Sequence, residues 1–239
     1  MPYPFRRSRR PNYRRRFRRR TRYNPGLRAL RAVRAMKKRQ ELKEFDHVYG
    51  DRQLFPANQA PLESDMFDLY TLNDIPQGQQ GNQRIGTSVN PTSVSIRMQL
   101  RFKQFGANPD DSTQPSPVRI ILFIWKPTTA AVGPNTILEP QANYENYINA
   151  FYKDSQKFNK KILFDHTYYN HDFFDPVRYI DIKRSIPKRY QFQYNNPNAE
   201  PTQNYLHLLV INGPGNATFV PPEENLIYRF ISRLRYKDN

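Results

Sequence analysis

Hydrophobic and polar residues alternate strictly along residues 93–102, a pattern typical of a half-buried β-strand. Every second residue from Val94 to Phe102 is apolar, whereas the residues between them are polar or charged. Because successive side chains of a strand point to opposite faces, this segment predicts an antiparallel strand with one face on a core. Residues 118–125 are apolar on both faces, which predicts a central strand covered on each side.

Further β-rich runs separated by Pro-, Gly- and Asn-rich turns predict an all-β domain. The additional predicted strands cover residues 162–169, 177–184, 189–194, 205–211 and 226–236. Residues 141–152 could form a short helix within a long connection. Seven or eight strands without βα alternation favour a sandwich, and we expect a single eight-stranded jelly roll.

The segment before these strands has a helical composition but no helical face. Asn24 and Pro25 suit a helix start, and residues 27–42 are nearly all strong helix formers. Apolar residues recur at every third position from Leu27 to Met36, so the apolar stripe winds around the helix. This pattern favours a basic helix that forms against a polyanion over one that packs on a protein partner.

The positive charge of the chain is concentrated in its first forty residues. The chain has 38 basic and 21 acidic residues and a net charge of +17. Residues 1–40 contain 15 Arg, 2 Lys and no acid, which leaves 21 basic against 21 acidic residues in 41–239. The chain therefore divides into a nucleic-acid-binding arm, 1–40, and a neutral domain, 41–239. The predicted nucleic-acid-binding residues are Arg6, Arg7, Arg9, Arg10, Arg14, Arg15, Arg16, Arg18, Arg19, Arg20, Arg22, Arg28, Arg31, Arg34, Lys37, Lys38 and Arg39.

Aromatic residues are interleaved with the first Arg runs. Dense like charge without an apolar pattern predicts a disordered or partly helical arm when no polyanion is bound. Aromatic rings provide surfaces on which nucleobases stack. A nuclear-localisation signal is the simpler interpretation, and both roles are compatible. The predicted base-stacking residues are Tyr3, Phe5, Tyr13, Phe17 and Tyr23.

The last predicted strand carries a second set of basic residues. Its alternation places Arg229, Arg233 and Arg235, with Lys237, on one side and aromatic or aliphatic residues on the other. Two hypotheses stay open for this basic side: a contact with nucleic acid, or an ordinary solvated face.

Catalytic and cofactor motifs are absent from the sequence. The chain has no nucleophile elbow, phosphate loop or dinucleotide fingerprint, and it has no cysteine for a thiolate metal site or disulfide. The best metal candidates, Asp165, His166, His171, Asp172 and Asp175 with His207 on another strand, do not match a usual ligand spacing. We expect no metal, no cofactor and no enzymatic activity. The longest apolar run, 120–125, is far shorter than the ~20 residues that span a bilayer, so we expect no membrane insertion.

Three features of the chain form a recognisable layout. The start Met1-Pro2-Tyr3-Pro4 leads into Arg blocks, and a basic, aromatic strand ends the chain. Leu72-Asn73-Asp74-Ile75-Pro76-Gln77-Gly78 is followed by Gln83-Arg84-Ile85-Gly86 just before an alternating strand. These features resemble the capsid proteins of circular Rep-encoding single-stranded DNA viruses, the circovirus-like group. The resemblance covers the layout of the chain, but the specific motif spans residues 72–86 alone.

The resemblance implies a jelly-roll subunit that assembles as sixty copies into an icosahedral (T=1) shell around a single-stranded DNA genome. It further implies an arm that faces the genome, entry into the host nucleus through import receptors, and a last strand in the inward-facing sheet. Charge alone does not distinguish DNA from RNA, and no residue identifies a cell-surface receptor. Two other classes are a cellular basic-tailed nucleic-acid-binding protein, of ribosomal or chromatin type, and a jelly-roll enzyme. A neutral domain favours self-association over the first of these.

Overall fold

A computed structural model describes residues 29, 42–55, 66–102, 117–131, 133–139, 147–169, 177–195, 197–213 and 226–238. Contacts between Cα atoms divide the chain into two units, Met1–Gln40 and Glu41–Asn239. In the first unit the described residue is Ala29, which is helical. Among the described residues, no helix is both long and apolar enough to cross a membrane.

The second unit is built from β-strands joined by turns. Single helical turns lie at Pro134–Ile137 and Asp154–Gln156. The strands are β1 (Lys43–Leu54), β2 (Phe67–Thr71), β3 (Ser88–Phe102), β4 (Val118–Trp125), β5 (Lys160–Tyr168), β6 (Val177–Ser185), β7 (Phe192–Tyr194), β8 (Pro201–Gln203), β9 (Tyr205–Asn212) and β10 (Leu226–Asp238).

These strands form a jelly-roll sandwich of two antiparallel sheets. The first sheet has the order β1-β10-β3, and both β6 and β7 pair with the far edge of β3, with β8 beyond β7. The second sheet has the order β2-β9-β4-β5. The eight longer strands therefore follow the strand order of a jelly roll, and β7 and β8 extend the first sheet. This confirms the predicted fold class.

The core lies between the two sheets, where alternating positions of β3 and β10 meet those of β4 and β9. The hydrophobic cluster between the sheets includes Val94, Leu100, Ile120 and Phe230. Ile121, on the opposite side of β4, belongs to a second cluster beneath the loops that cover the second sheet. Since both faces of β4 are buried, the prediction of a central covered strand is confirmed.

The predicted strands recur with different ends, the strand predicted at 189–194 being reduced to Phe192–Tyr194, and the described part of the predicted helix at 141–152 is not helical. Residues 141–146 lie outside the described residues, whereas 147–149 form a turn and Tyr152 makes an isolated bridge. The carbonyls of Tyr147, Ile148 and Ala150 accept hydrogen bonds from Arg119 Nη1 at 2.9–3.1 Å. These carbonyls therefore bind a buried guanidinium instead of the amides of a following helical turn.

Candidate nucleic-acid interface

The predicted basic side of β10 is the outer face of the first sheet. Along β10, Tyr228, Phe230 and Leu234 are buried, whereas Arg229 and Arg233 are exposed. The neighbouring strand β3 adds exposed arginines in register, because Ile231 pairs with Arg97 and Ile227 pairs with Arg101. We call this surface the basic face: it comprises Arg97, Arg101, Arg229, Arg233 and Arg235.

Two of the four predicted residues on β10 are in ion pairs with the neighbouring strand β1. Arg233 contacts Asp46 through Nε and Nη2 at 2.8 and 2.6 Å, and its Nη1 lies 3.1 Å from Glu44. Arg235 Nε donates to Glu44 at 2.8 Å. The hydrogen bond from Arg233 lowers the pKa of Asp46, so the carboxylate stays ionised. Much of the charge of these two arginines is therefore compensated within the sheet.

The acids that compensate them were missed in the sequence analysis, although a signal was present. Glu44 and Asp46 alternate with Lys43, Phe45 and His47, which is the period of a strand. Lys237 lies half-buried near the end of β10. The hypothesis that Arg229, Arg233, Arg235 and Lys237 contact nucleic acid stays a prediction.

The seventeen basic and five aromatic residues assigned to the arm lie outside the described residues. The same holds for three of the metal candidates, His171, Asp172 and Asp175. Within the described part of the chain, no group of three or more His, Cys, Asp or Glu could hold a metal ion.

The remaining metal candidates have other structural partners. Asp165 forms a bidentate pair with Arg119, at 2.9 Å to Nε and 2.7 Å to Nη2, and also accepts from the Tyr152 hydroxyl. The guanidinium and the hydroxyl lower the pKa of Asp165 against the opposing effect of burial. His207 is buried, and burial lowers its pKa to about 4. His207 Nε2 accepts a hydrogen bond from Ala131 N at 3.4 Å, and the exposed ring of His166 contacts the rings of Phe164 and Tyr168.

The motif 72–86 forms the connection between β2 and β3, which is exposed at residues 79–82 but has the buried side chain of Arg84 at its centre. Arg84 is 0 % exposed. Its Nε donates to Ile75 O at 3.1 Å, its Nη1 to Gly86 O at 2.5 Å, and its Nη2 to Asn198 O. The guanidinium also lies 4.3 Å from the centre of the Tyr194 ring. These contacts therefore hold the connection between β2 and β3 in place.

Asn73 ties the same connection to β9. Leu206 N donates to Asn73 Oδ1 at 2.9 Å, while Asn73 Nδ2 donates to Asn204 O at 3.2 Å. Asn204 takes a left-handed conformation with φ of 60°, which Asn tolerates better than most residues. The motif residues are therefore held by hydrogen bonds from both sides of the connection.

Asp74 is the acidic residue of this motif. Its Oδ1 is buried, and no described residue gives it a hydrogen bond. Burial raises the pKa of Asp74 to about 7, and the negative charge of Glu200 adds to the shift. Because the folded pKa lies above the ordinary value of 3.8, the folded chain binds a proton that the unfolded chain releases.

We expect Asp74→Asn to stabilise the protein at pH 8 and to have little effect near pH 4. As the pH rises from about 4 to 7, wild type loses stability because its folded state must give up this proton. Asn removes that loss, for a gain of about 1–2 kcal/mol after allowance for partial solvent screening. Urea unfolding across this pH range measures the gain, and Asp181→Asn on the exposed sheet is the matched control. An equal gain at both pH values would contradict the shifted pKa.

Comparison with known proteins gives no family. No protein-family model matches the chain, and no curated protein matches it. Among solved structures, the chain is similar to a structure of turnip yellow mosaic virus at 100 K, with 11 % sequence identity and a TM-score of 0.31. That similarity covers 83 % of this chain and 94 % of the other.

Proposed function

We propose that this protein is a viral capsid subunit that assembles into an icosahedral shell and packages a single-stranded DNA genome through its basic arm. The main observation behind this proposal is the distribution of charge: residues 1–40 hold the whole net charge of +17, and residues 41–239 have equal numbers of basic and acidic residues. Phosphate neutralisation supplies most of the sequence-independent affinity for nucleic acid, so the arm alone suffices for binding.

The jelly-roll domain supports self-association as its main task. It exposes large apolar side chains outside the basic face, including Phe151 at 77 % and Phe158 at 81 %. Aromatic residues are enriched where protein interfaces form, and a balanced net charge does not oppose the approach of identical subunits. We assign the protein a structural role and no catalytic one.

The proposal places the protein in the virion and, during infection, in the host nucleus. The arm would carry the nuclear-localisation signal as well as the genome contacts, because dense basic runs serve both purposes. Import receptors would then be transient partners, and about sixty copies of the chain the permanent ones, as the resemblance implies.

Size-exclusion chromatography and electron microscopy of the purified protein test this proposal. We expect megadalton particles that contain nuclease-protected nucleic acid sensitive to deoxyribonuclease after disruption. A monomer that binds nucleic acid without assembling would indicate a cellular nucleic-acid-binding protein instead. Nuclease-protected RNA in the particles would support the role as a capsid subunit but overturn the assignment of a DNA genome.

A further inference from the structure

A groove of about 750 Å³ crosses the outer face of the first sheet. Its walls come from β1, β10, β3 and β6, and apolar surface predominates. Tyr179, Val48 and Ile231 are 80, 69 and 50 % exposed, although each lies on a strand of a folded sheet. Exposed aromatic and aliphatic side chains on a sheet face mark an interaction surface.

The ring of Tyr179 is held in place by a row of hydrogen bonds across three strands. Arg229, Gln99 and Tyr179 are register neighbours on β10, β3 and β6. Arg229 Nε donates to Gln99 Oε1 at 2.7 Å, and Gln99 Nε2 donates to the Tyr179 hydroxyl at 3.2 Å. Since its hydroxyl reaches the adjacent strand, the ring leans across the sheet and keeps a broad exposed surface.

Charge is distributed unevenly over the basic face. At one end, Arg233 and Arg235 are paired with the acids of β1. Arg97 lines the groove and Arg101 lines an adjoining depression; both guanidiniums are exposed and have no hydrogen bond or ion pair with any described residue. One groove acid, Asp181, pairs with Lys183 at 2.8 Å, and Asp51 lies at the rim. The groove end therefore keeps the uncompensated positive charge.

We propose that this groove binds the bases of single-stranded DNA, with a base stacked on Tyr179 and the adjoining phosphates paired with Arg97 and Arg101. An aromatic platform beside guanidiniums is the arrangement that single-strand-binding surfaces share. A duplex would not offer an unstacked base to a ring on a flat sheet. The charge complementarity favours a polyanion over a second copy of this chain, whose own groove has the same sign.

The inference rests on the proposed function and adds a folded site to the basic arm. It predicts that packaged DNA contacts the sheet as well as residues 1–40. The two predictions can fail separately, because one concerns particle formation and the other concerns where a base lies.

Photo-cross-linking of the full chain to an oligonucleotide containing 5-iododeoxyuridine locates the stacked base. Trypsin cleaves after Arg178 and Lys183, so the short peptide 179–183 contains Tyr179 as its aromatic residue. We expect a DNA adduct on this peptide, lost in Tyr179→Ala. Adducts confined to the arm would overturn the folded site and leave the packaging role intact.

Affinity measurements on full-length variants supply the second readout. At a salt concentration that weakens the arm, Tyr179→Ala should lower the affinity for oligothymidylate about 5- to 100-fold, with no such loss for an abasic strand of equal length. Tyr169→Ala, a half-exposed tyrosine beside the other sheet, is the matched control. Equal losses for both strands would overturn the stacking role.

Two double variants separate local contacts from net charge. Arg97→Gln with Arg101→Gln should reduce the slope of log affinity against log salt by about 1.4, since each single-strand phosphate contact contributes about 0.7. Arg233→Gln with Arg235→Gln makes the same change in net charge at the compensated end and should reduce the slope by less than half as much. Equal slopes for the two double variants would overturn the site. So would a Tyr179→Ala protein that fails to assemble but still cross-links to DNA as wild type does, because that result would identify the groove as a contact between copies.

Discussion

Removal of residues 1–40 is expected to lower the affinity for single-stranded DNA by several orders of magnitude and to leave the jelly roll folded. The deleted segment holds seventeen basic residues and no acid, and each phosphate contact contributes about 0.7 to the salt slope for single strands. Even half of these contacts would give a slope near −6, so their loss dominates any effect of the folded groove.

The truncated protein should fold because both hydrophobic clusters are formed by residues 45–236. Circular dichroism should retain its β signal with a cooperative thermal transition. The matched control replaces every Arg of the arm by Lys, which keeps the charge and loses planar stacking and bidentate geometry. We expect that control to bind within about tenfold of wild type, since non-specific affinity follows charge.

The same deletion should stop a fluorescent fusion from accumulating in nuclei if the localisation signal lies in the arm. Full affinity of the truncated protein at physiological salt would contradict the arm assignment. A truncated protein that aggregates would instead show that the boundary at residue 40 removes part of the jelly roll, such as the lead into β1.

Strong hydrophobic periodicity explains why the central strands were predictable. Val118–Trp125 was predicted with its observed bounds, because eight residues without a turn former have one plausible interpretation in a β-rich chain. The alternation in 93–102 likewise fixed the buried face of β3. Local pattern was enough wherever one strand face meets the core.

β1 was missed because its apolar pattern is interrupted. His47 and Tyr49 are its inward residues after Phe45, and Gly50 follows them where the register with β10 shifts. An irregularity of this kind breaks the two-residue period that identifies a strand. The ion pairs between β1 and β10 join residues almost two hundred positions apart, and no local pattern reports them.

Buried arginines were the other feature that the sequence did not reveal. Arg84 lies in a polar segment that resembles a solvent-exposed loop, whereas Arg119 is the one charged residue within the apolar strand β4. Arg119 donates to carbonyls of residues 147–150, and Arg84 donates to Asn198 O as well as to two carbonyls of its own motif. The carbonyls from distant segments come together only in the folded sandwich, so no local pattern reports these burials. The motif that suggested a viral family thus has a structural explanation that the motif alone did not contain.

Arg84→Ala is therefore expected to destabilise the jelly roll by about 3–5 kcal/mol, enough to unfold a domain of ordinary stability. The substitution removes the donors to three carbonyls, of which that of Ile75 is buried and those of Gly86 and Asn198 are partly buried. Each buried acceptor that loses its partner costs about 1–3 kcal/mol. The lost contact with the Tyr194 ring adds to this.

Arg84→Lys keeps the charge but not the planar fork, so one ammonium cannot reach carbonyls on three segments. We expect an intermediate loss that remains measurable by urea unfolding even if Arg84→Ala does not fold. Arg178→Ala, at an exposed position on β6, is the matched control and should change stability by less than about 0.5 kcal/mol. If Arg84→Ala unfolded at the same urea concentration as that control, the motif would not fix the connection between β2 and β3. The hydrogen bonds to Arg84 would then contribute nothing net, because water would replace the guanidinium at those carbonyls without cost.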